Sequence, residues 1–169
     1  MLGLNKSIKN KSTLKDIILA ECNNINDFDT IYSCTKELDT TNKLYGTGSI
    51  KFVKNGDIVG YFTADIEKAY NLLKYNSINL SIYTADKSNI ASISITLFTT
   101  TPYSYDHAYI YFIGWQLVNG WNTFNIPFSE FTKYGSESLD TVKCIRITTN
   151  LTVDNQTETI NLDRILFKL

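Results

Sequence analysis

The sequence predicts an all-β protein, an antiparallel sandwich or barrel, and three observations carry that prediction. Apolar residues recur at every second position in several segments. Turn-forming clusters separate those segments at short intervals, and helical spacing surfaces in one place only. In 76–86, NSINLSIYTAD, Ile78, Leu80 and Ile82 alternate with Asn79, Ser81 and Tyr83. In 89–99, NIASISITLFT, Ile93, Ile95 and Leu97 alternate with Ser94, Thr96 and Phe98. In 143–149, Ile145 and Ile147 flank Arg146, and in 159–167, Ile160 and Leu162 share a parity. A period of two places one set of side chains in a core and the other on a polar face.

Further strands are predicted at 17–21, 49–54, 59–63, 108–117 and 123–127. Between them lie Tyr45-Gly46-Thr47-Gly48, Asn55-Gly56-Asp57, Ala85-Asp86-Lys87-Ser88 and Asn119-Gly120, all built from turn-favouring residues. The exception is DIEKAYNLLKY. Ile66, Ala69, Tyr70 and Leu73 recur at helical spacing behind Asp65, a good N-cap, so a short helix is predicted near residues 65–74. In GWNTFNIPFSEF, Gly120 permits a turn, Trp121 is expected as a buried plug, and Phe124 and Ile126 point inward. Pro127 has no N–H to continue the ladder.

With 169 residues, one domain is long enough to bury a core without disulfide or metal staples. The formal net charge of -1 gives no reason to expect nucleic acid as a partner. No apolar run reaches the ~18–20 residues of a membrane span, so no membrane partner is expected. The three cysteines, Cys22, Cys34 and Cys144, show no zinc spacing and read as reduced core residues. Residues 1–16 form a basic N-terminal arm, with Lys6, Lys9, Lys11 and Lys15 and no acid before Asp16. The arm is expected to dock on a protein surface. No signal peptide is evident, which points to synthesis in the cytoplasm and then incorporation in a virion or release by lysis.

Catalytic vocabulary is sparse. The single histidine, His107, lies in the loop TTTPYSYDHAY with no nucleophile elbow around it, and the carboxylates are scattered. No glycine loop cradles a phosphate. The chain reads as a non-enzyme.

Taken in order, GTGSIKF, SINLSIYTADKS, GWNTFNIPFSEF, VKCIRITT and INLDRILF resemble the galactose-binding-like jelly rolls of carbohydrate-binding modules, across residues 17–169. The resemblance implies a two-sheet antiparallel jelly-roll sandwich without catalysis. It also implies a structural calcium at one edge, held by Glu21, carbonyls of the 42–48 loop and Asp163. The alternative for Asp163 is an ion pair with Arg164 or a lysine, or exposure to solvent.

Sugar-binding surfaces stack pyranose rings on exposed aromatics and fix hydroxyls with polar side chains. The strands place Tyr83, Phe98 and Arg146 on the polar parity, and the 102–107 loop adds Tyr103 and Tyr105. In AYIYFIGWQL, a core Leu117 puts Tyr111 and Trp115 inward, whereas a bulge at Gly114 exposes Trp115. The candidate ligand-binding residues are therefore Tyr83, Tyr103, Tyr105, Trp115 and Arg146. Two functions follow. The first is attachment to a glycan or polysaccharide, on a virion or cell surface. The second is a structural, decoration or adaptor role in a larger assembly such as a bacteriophage particle, with the arm docking on a partner.

Overall fold

A computed structural model of the chain describes residues 15–54, 59–101, 103–114, 116–154 and 157–169. The basic arm lies outside them up to position 14. Among the described residues no helix is long and apolar enough to cross a membrane. The strands of the described residues run in chain order: β1 (Ile17–Ala20), β2 (Thr30–Tyr32), β3 (Thr35–Asp39), β4 (Ser49–Lys54), β5 (Tyr61–Ile66), β6 (Ser77–Thr84), β7 (Ile90–Phe98), β8 (Ala108–Ile113), β9 (Gly120–Pro127), β10 (Thr132–Tyr134), β11 (Cys144–Leu151) and β12 (Glu158–Lys168). They form two antiparallel sheets. The first has the order β3-β4-β12-β6-β9, with β1 also paired to β12, and the second has the order β10-β8-β7-β11-β5-β2. This is the expected two-sheet jelly-roll sandwich.

The alternations seen in the sequence supply the core. Ile78, Leu80 and Ile82 of β6 point between the sheets, as do Ile93, Ile95 and Leu97 of β7, and all six are fully buried. Each such side chain is worth roughly 1.5–3 kcal/mol of burial, which is what fixes the register. In β12, Ile160 and Leu162 face the core, and then a bulge between Asp163 and Leu166 puts Arg164 in the left-handed region at φ 42°. The extra residue resets the parity, so that Ile165 and Phe167 become the buried ones. Cys22 and Cys144 are buried, Cys34 is half-buried, and all three are free thiols. Burial pushes the Cys144 thiol up to about 12.

Two expectations need correction. The helix near 65–74 does not form. Asp65 and Ile66 complete β5, and the chain then runs as an extended connector closing one end of the sandwich. The Tyr70 N–H donates to the Val142 carbonyl and the Leu72 N–H to the Leu139 carbonyl, both at 2.8 Å. Tyr70 and Leu72 are buried while Ala69 and Leu73 are exposed, so burial follows a period of two and the helical spacing was coincidental. Asp65 cannot cap a helix because its carboxylate is held by Arg146. The second correction concerns Trp121. It is half-buried and shares the outward parity of β9 with Thr123 and Asn125, while Asn122 and Ile126 are the buried residues. Asn122 takes the inward place because its amide satisfies the turn, donating to the Val118 and Gly120 carbonyls at 2.8 and 2.9 Å. Pro127 does end the ladder, as the last residue of β9 paired with β6.

Candidate functional site

The outer faces of the sheets carry the polar parity. On β5, Phe62, Ala64 and Ile66 fill the core, and Tyr61, Thr63 and Asp65 face outward. On β11, Ile145 and Ile147 fill the core, leaving Arg146, Thr148 and Asn150 outward. Antiparallel register aligns these in rows. Arg146 lies opposite Asp65, Thr148 opposite Thr63 and Asn150 opposite Tyr61. On the far side, β2 sets Thr30 beside Asp65 and Tyr32 beside Thr63. On the other flank, β7 sets Ser94 beside Thr148, and β8 sets Phe112 beside Ser94. One row thus reads Tyr32, Thr63, Thr148, Ser94, Phe112 across five strands. At about 4.8 Å per strand it spans roughly 19 Å.

A groove of about 550 Å³ opens over part of this face, lined by Tyr32, Tyr61, Tyr105 and Arg146 around a floor of Thr63 and Thr148, with Asn150 and Thr30 at its margins. Tyr32 and Tyr61 stack with ring centroids 5.7 Å apart and planes at 28°. They are 50% and 39% exposed, Tyr105 is 52% exposed and Phe112 is 60% exposed. The Thr148 hydroxyl, in the floor, has no hydrogen-bond partner among the described residues.

Arg146 is the charged member. Its Nε donates to Asp65 Oδ1 at 2.8 Å and its Nη2 to Asp65 Oδ2 at 2.6 Å, a two-pronged fork. Its guanidinium lies 5.1 Å over the Phe98 ring. The Asp65 hydrogen bond holds Arg146 well above its ordinary value against the opposing effect of burial, so it is charged at every working pH. Tyr103 stacks on Phe98 at 5.5 Å, and Tyr105 meets the same ring edge-on at 5.1 Å. Burial first, and then nearby thiol and carboxylate groups, push the Tyr103 phenol up to about 12. It therefore stays a neutral donor, and its hydroxyl reaches Glu67 Oε2 at 3.2 Å.

Of the candidate ligand-binding residues, the fold brings Tyr103, Tyr105 and Arg146 together around Phe98. Tyr83 lies on the outer face of the opposite sheet, 5.6 Å from the Trp121 ring. Trp115 falls outside the described residues. Tyr111 faces inward and packs on Phe131. Sequence reading missed Tyr32, Tyr61 and Asp65. The signal for the last two was present in YFTADI, whose strict alternation the helical reading of Asp65 and Ile66 interrupted. Tyr32 sits in a three-residue strand too short to show a period.

At the other candidate site, Asp163 is fully buried and Glu21 is exposed. Asp163 Oδ2 accepts from the Leu44 and Tyr45 amides at 2.7 and 2.8 Å, while Oδ1 is buried with no partner among the described residues. Asp27 Oδ2 is likewise buried and unpartnered. Burial, followed by the charges of Asp163 and Asp27, drives the Cys22 thiol well up, so these carboxylates share one neighbourhood. No group of three or more His, Cys, Asp or Glu placed to hold a metal is found among the described residues. Asp163 thus has a free oxygen to offer a cation, whereas the loop presents amides rather than carbonyls to its other oxygen.

No family model matches the sequence, and no curated protein matches it significantly. Solved structures do match in fold. The family 11 carbohydrate-binding module of a cellulosomal cellulase of Clostridium thermocellum superposes with a TM-score of 0.66 at 16% identity, covering 93% of this chain and 96% of that one. The family 11 module of Clostridium thermocellum in complex with a β-1,3-1,4-mixed-linked tetrasaccharide gives 0.67 at 15% identity, covering 90% and 95%. A family 30 carbohydrate-binding module gives 0.68 at 11% identity, covering 93% and 90%. The chain therefore has the β-sandwich jelly-roll fold of these modules along nearly its whole length.

Proposed function

We propose that the outer face of the β10-β8-β7-β11-β5-β2 sheet binds polysaccharide without catalysis and attaches its bearer to it. The observation that carries this reading is the convergence of three exposed tyrosines, Tyr32, Tyr61 and Tyr105, on a fixed arginine above a floor of threonine hydroxyls. Aromatic faces receive the C–H faces of sugar rings, and Arg146 and Asn150 match sugar hydroxyls. The row from Tyr32 to Phe112 is open at both ends, which suits a stretch of chain laid across the strands. The fold shared with a module solved in complex with a tetrasaccharide supports the same reading.

Affinity electrophoresis against a panel of soluble polysaccharides tests it. At least one should retard the wild type, and replacement of Tyr32 and Tyr61 by Ala should release it. A panel that retards nothing removes the glycan reading and leaves the assembly role, with residues 1–15 as the docking arm.

The calcium expectation is carried forward in a narrower form. Asp163 Oδ1 and Asp27 Oδ2 are the oxygens that would hold the ion, with Glu21 adding charge from the edge. The ion would neutralise buried carboxylates and tie the 42–48 loop to the last strand. A ligand of the folded state raises the melting temperature by mass action, so millimolar calcium added after chelation should raise it. An unchanged melting curve retires the calcium site.

A further inference from the structure

We infer that the groove selects uncharged glycan chains over acidic ones, and that Asp65 and Glu67 enforce the selection, Asp65 by occupying the fork of Arg146. The inference rests on the glycan-binding reading above. Among the described residues that line the groove, Arg146 is the one with a charged side chain. A bare arginine there would be a ready receptor for the carboxylate of a uronic acid or for a sulfate, since its planar fork matches both. Here the Nε–Nη2 edge of that fork is filled. Asp65, 1% exposed, takes Nε and Nη2 from within the sheet, in the geometry an acidic ligand would need. The guanidinium keeps its remaining N–H donors for hydroxyl oxygens, but its charge is already answered.

Glu67 adds a carboxylate beyond that balance. It follows β5 directly and is fixed from two sides: Thr30 Oγ1 donates to Oε1 at 2.5 Å, and the Tyr103 hydroxyl donates to Oε2. Thr30 itself lines the groove, in the same row as Asp65 and Arg146. Asp29 lies beside it, accepting from the Glu67 N–H at 2.7 Å. Lys68, the next cation along the chain, is turned to the Tyr70 ring, 5.9 Å away. The Arg146 end of the groove therefore carries three carboxylates against one guanidinium, with Lys36, tied to the Phe28 carbonyl behind Asp29, as the further cation nearby. An anionic sugar laid there meets like charge and a filled fork, whereas a neutral sugar loses nothing. Selectivity of this kind comes from what a site repels as much as from what it holds.

The test compares retardation by neutral polysaccharides with retardation by polygalacturonate and dextran sulfate at low salt. The wild type should be retarded by at least one neutral polymer and by neither acidic one. Asp65→Asn removes the countercharge and one of the two acceptors that fill the fork. It should gain retardation by polygalacturonate that fades as salt rises, and should lose several-fold on the neutral polymer because Arg146 is no longer held. A residue with a purely structural role would weaken both and gain neither. Should Asp65→Asn fail to fold, the exposed pair Asp29→Asn with Glu67→Gln serves instead. It should acquire salt-sensitive retardation by polygalacturonate that the wild type lacks. Wild-type binding to acidic and neutral polymers alike overturns the selection but not the glycan reading. So does the absence of any acidic gain in the folded variants. Wild type retarded by no polymer at all overturns both.

Discussion

The two outer faces of the sandwich start from the same alternation code and finish as different surfaces. On the first sheet, the polar parity of β4, β6 and β12 supplies Ser49, Ser81, Asn161 and Asp163, and all four are buried. The 40–48 loop lies over them. Asn161 Nδ2 donates to Asp39 Oδ2 at 3.0 Å and to Ser49 Oγ at 2.8 Å, and the Ser49 hydroxyl donates to the Asn42 carbonyl at 2.6 Å. Trp121 Nε1 donates to Asn42 Oδ1 at 3.1 Å. On the second sheet no such network closes over Tyr32, Tyr61, Tyr105 and Phe112, and the Thr148 hydroxyl is left without a partner among the described residues. The difference teaches that a polar face becomes structural when a loop satisfies it. It becomes available for binding when its aromatics stay open.

The sharpest way to break this comparison is at Asp163. Asp163→Ala removes a fully buried carboxylate and the acceptor of the Leu44 and Tyr45 amides, and should cost about 3 kcal/mol. That lowers the melting temperature by roughly 6–12 °C for a chain of this size, with glycan retardation unchanged once the protein is folded. A loss of binding without loss of stability would mean that the closed face is the functional one.

The reverse pattern is expected on the open face. The Tyr32→Ala and Tyr61→Ala double variant should weaken binding by about 2 kcal/mol, or roughly thirtyfold, because two stacking rings are lost. Its stability should stay within about 1 kcal/mol of the wild type, since both rings are largely exposed. Thermal melts beside affinity electrophoresis read both quantities.

Trp121 sharpens the comparison because it stands at the margin of the closed face. Its replacement by Ala removes the Asn42 bond and the Tyr83 contact, and should cost about 1–2 kcal/mol. That is short of the ~3–5 kcal/mol of a fully buried tryptophan. A full-sized loss in a denaturant titration would show the loop sealing it more completely than half-burial implies.

The smallest effect concerns acid. The Asn42 amide, with the Thr41 amide and the Asn161 side chain, holds the Asp39 carboxylate below its ordinary value. A carboxylate depressed in the folded state contributes stability that is complete above its unfolded value of about 3.9 and lost as the pH falls through the lower folded one. The melting temperatures of wild type and Asp39→Asn should therefore converge as the pH drops below about 4. A gap that stays constant across that range would show that Asp39 acts through its shape alone.

Much of this architecture was legible in the chain. The buried positions of β6, β7 and β11 follow from alternation because a strand must hide one parity, and Pro127 stops β9 because it has no N–H. The candidate site was legible only in part. Arg146 was placed outward by the isoleucines on either side of it, but its partner Asp65 was misread as a helix cap. A four-residue spacing cannot distinguish a helix from a strand and a connector. Trp121 was misplaced for a related reason: its neighbour Asn122 is polar yet buried, because the turn at 118–120 needs its amide.

By itself, the sequence determined which residues alternate and where the strands break, since these depend on neighbours within a few positions. Only the tertiary structure decided that Tyr32, Tyr61 and Tyr105 meet Arg146, and that Asp163 is sealed while Tyr61 is open. Those outcomes depend on which strands become neighbours and which loop folds over which face. Pairings such as Arg146 with Asp65, 81 positions apart, are set by register between strands and leave no local trace in the chain.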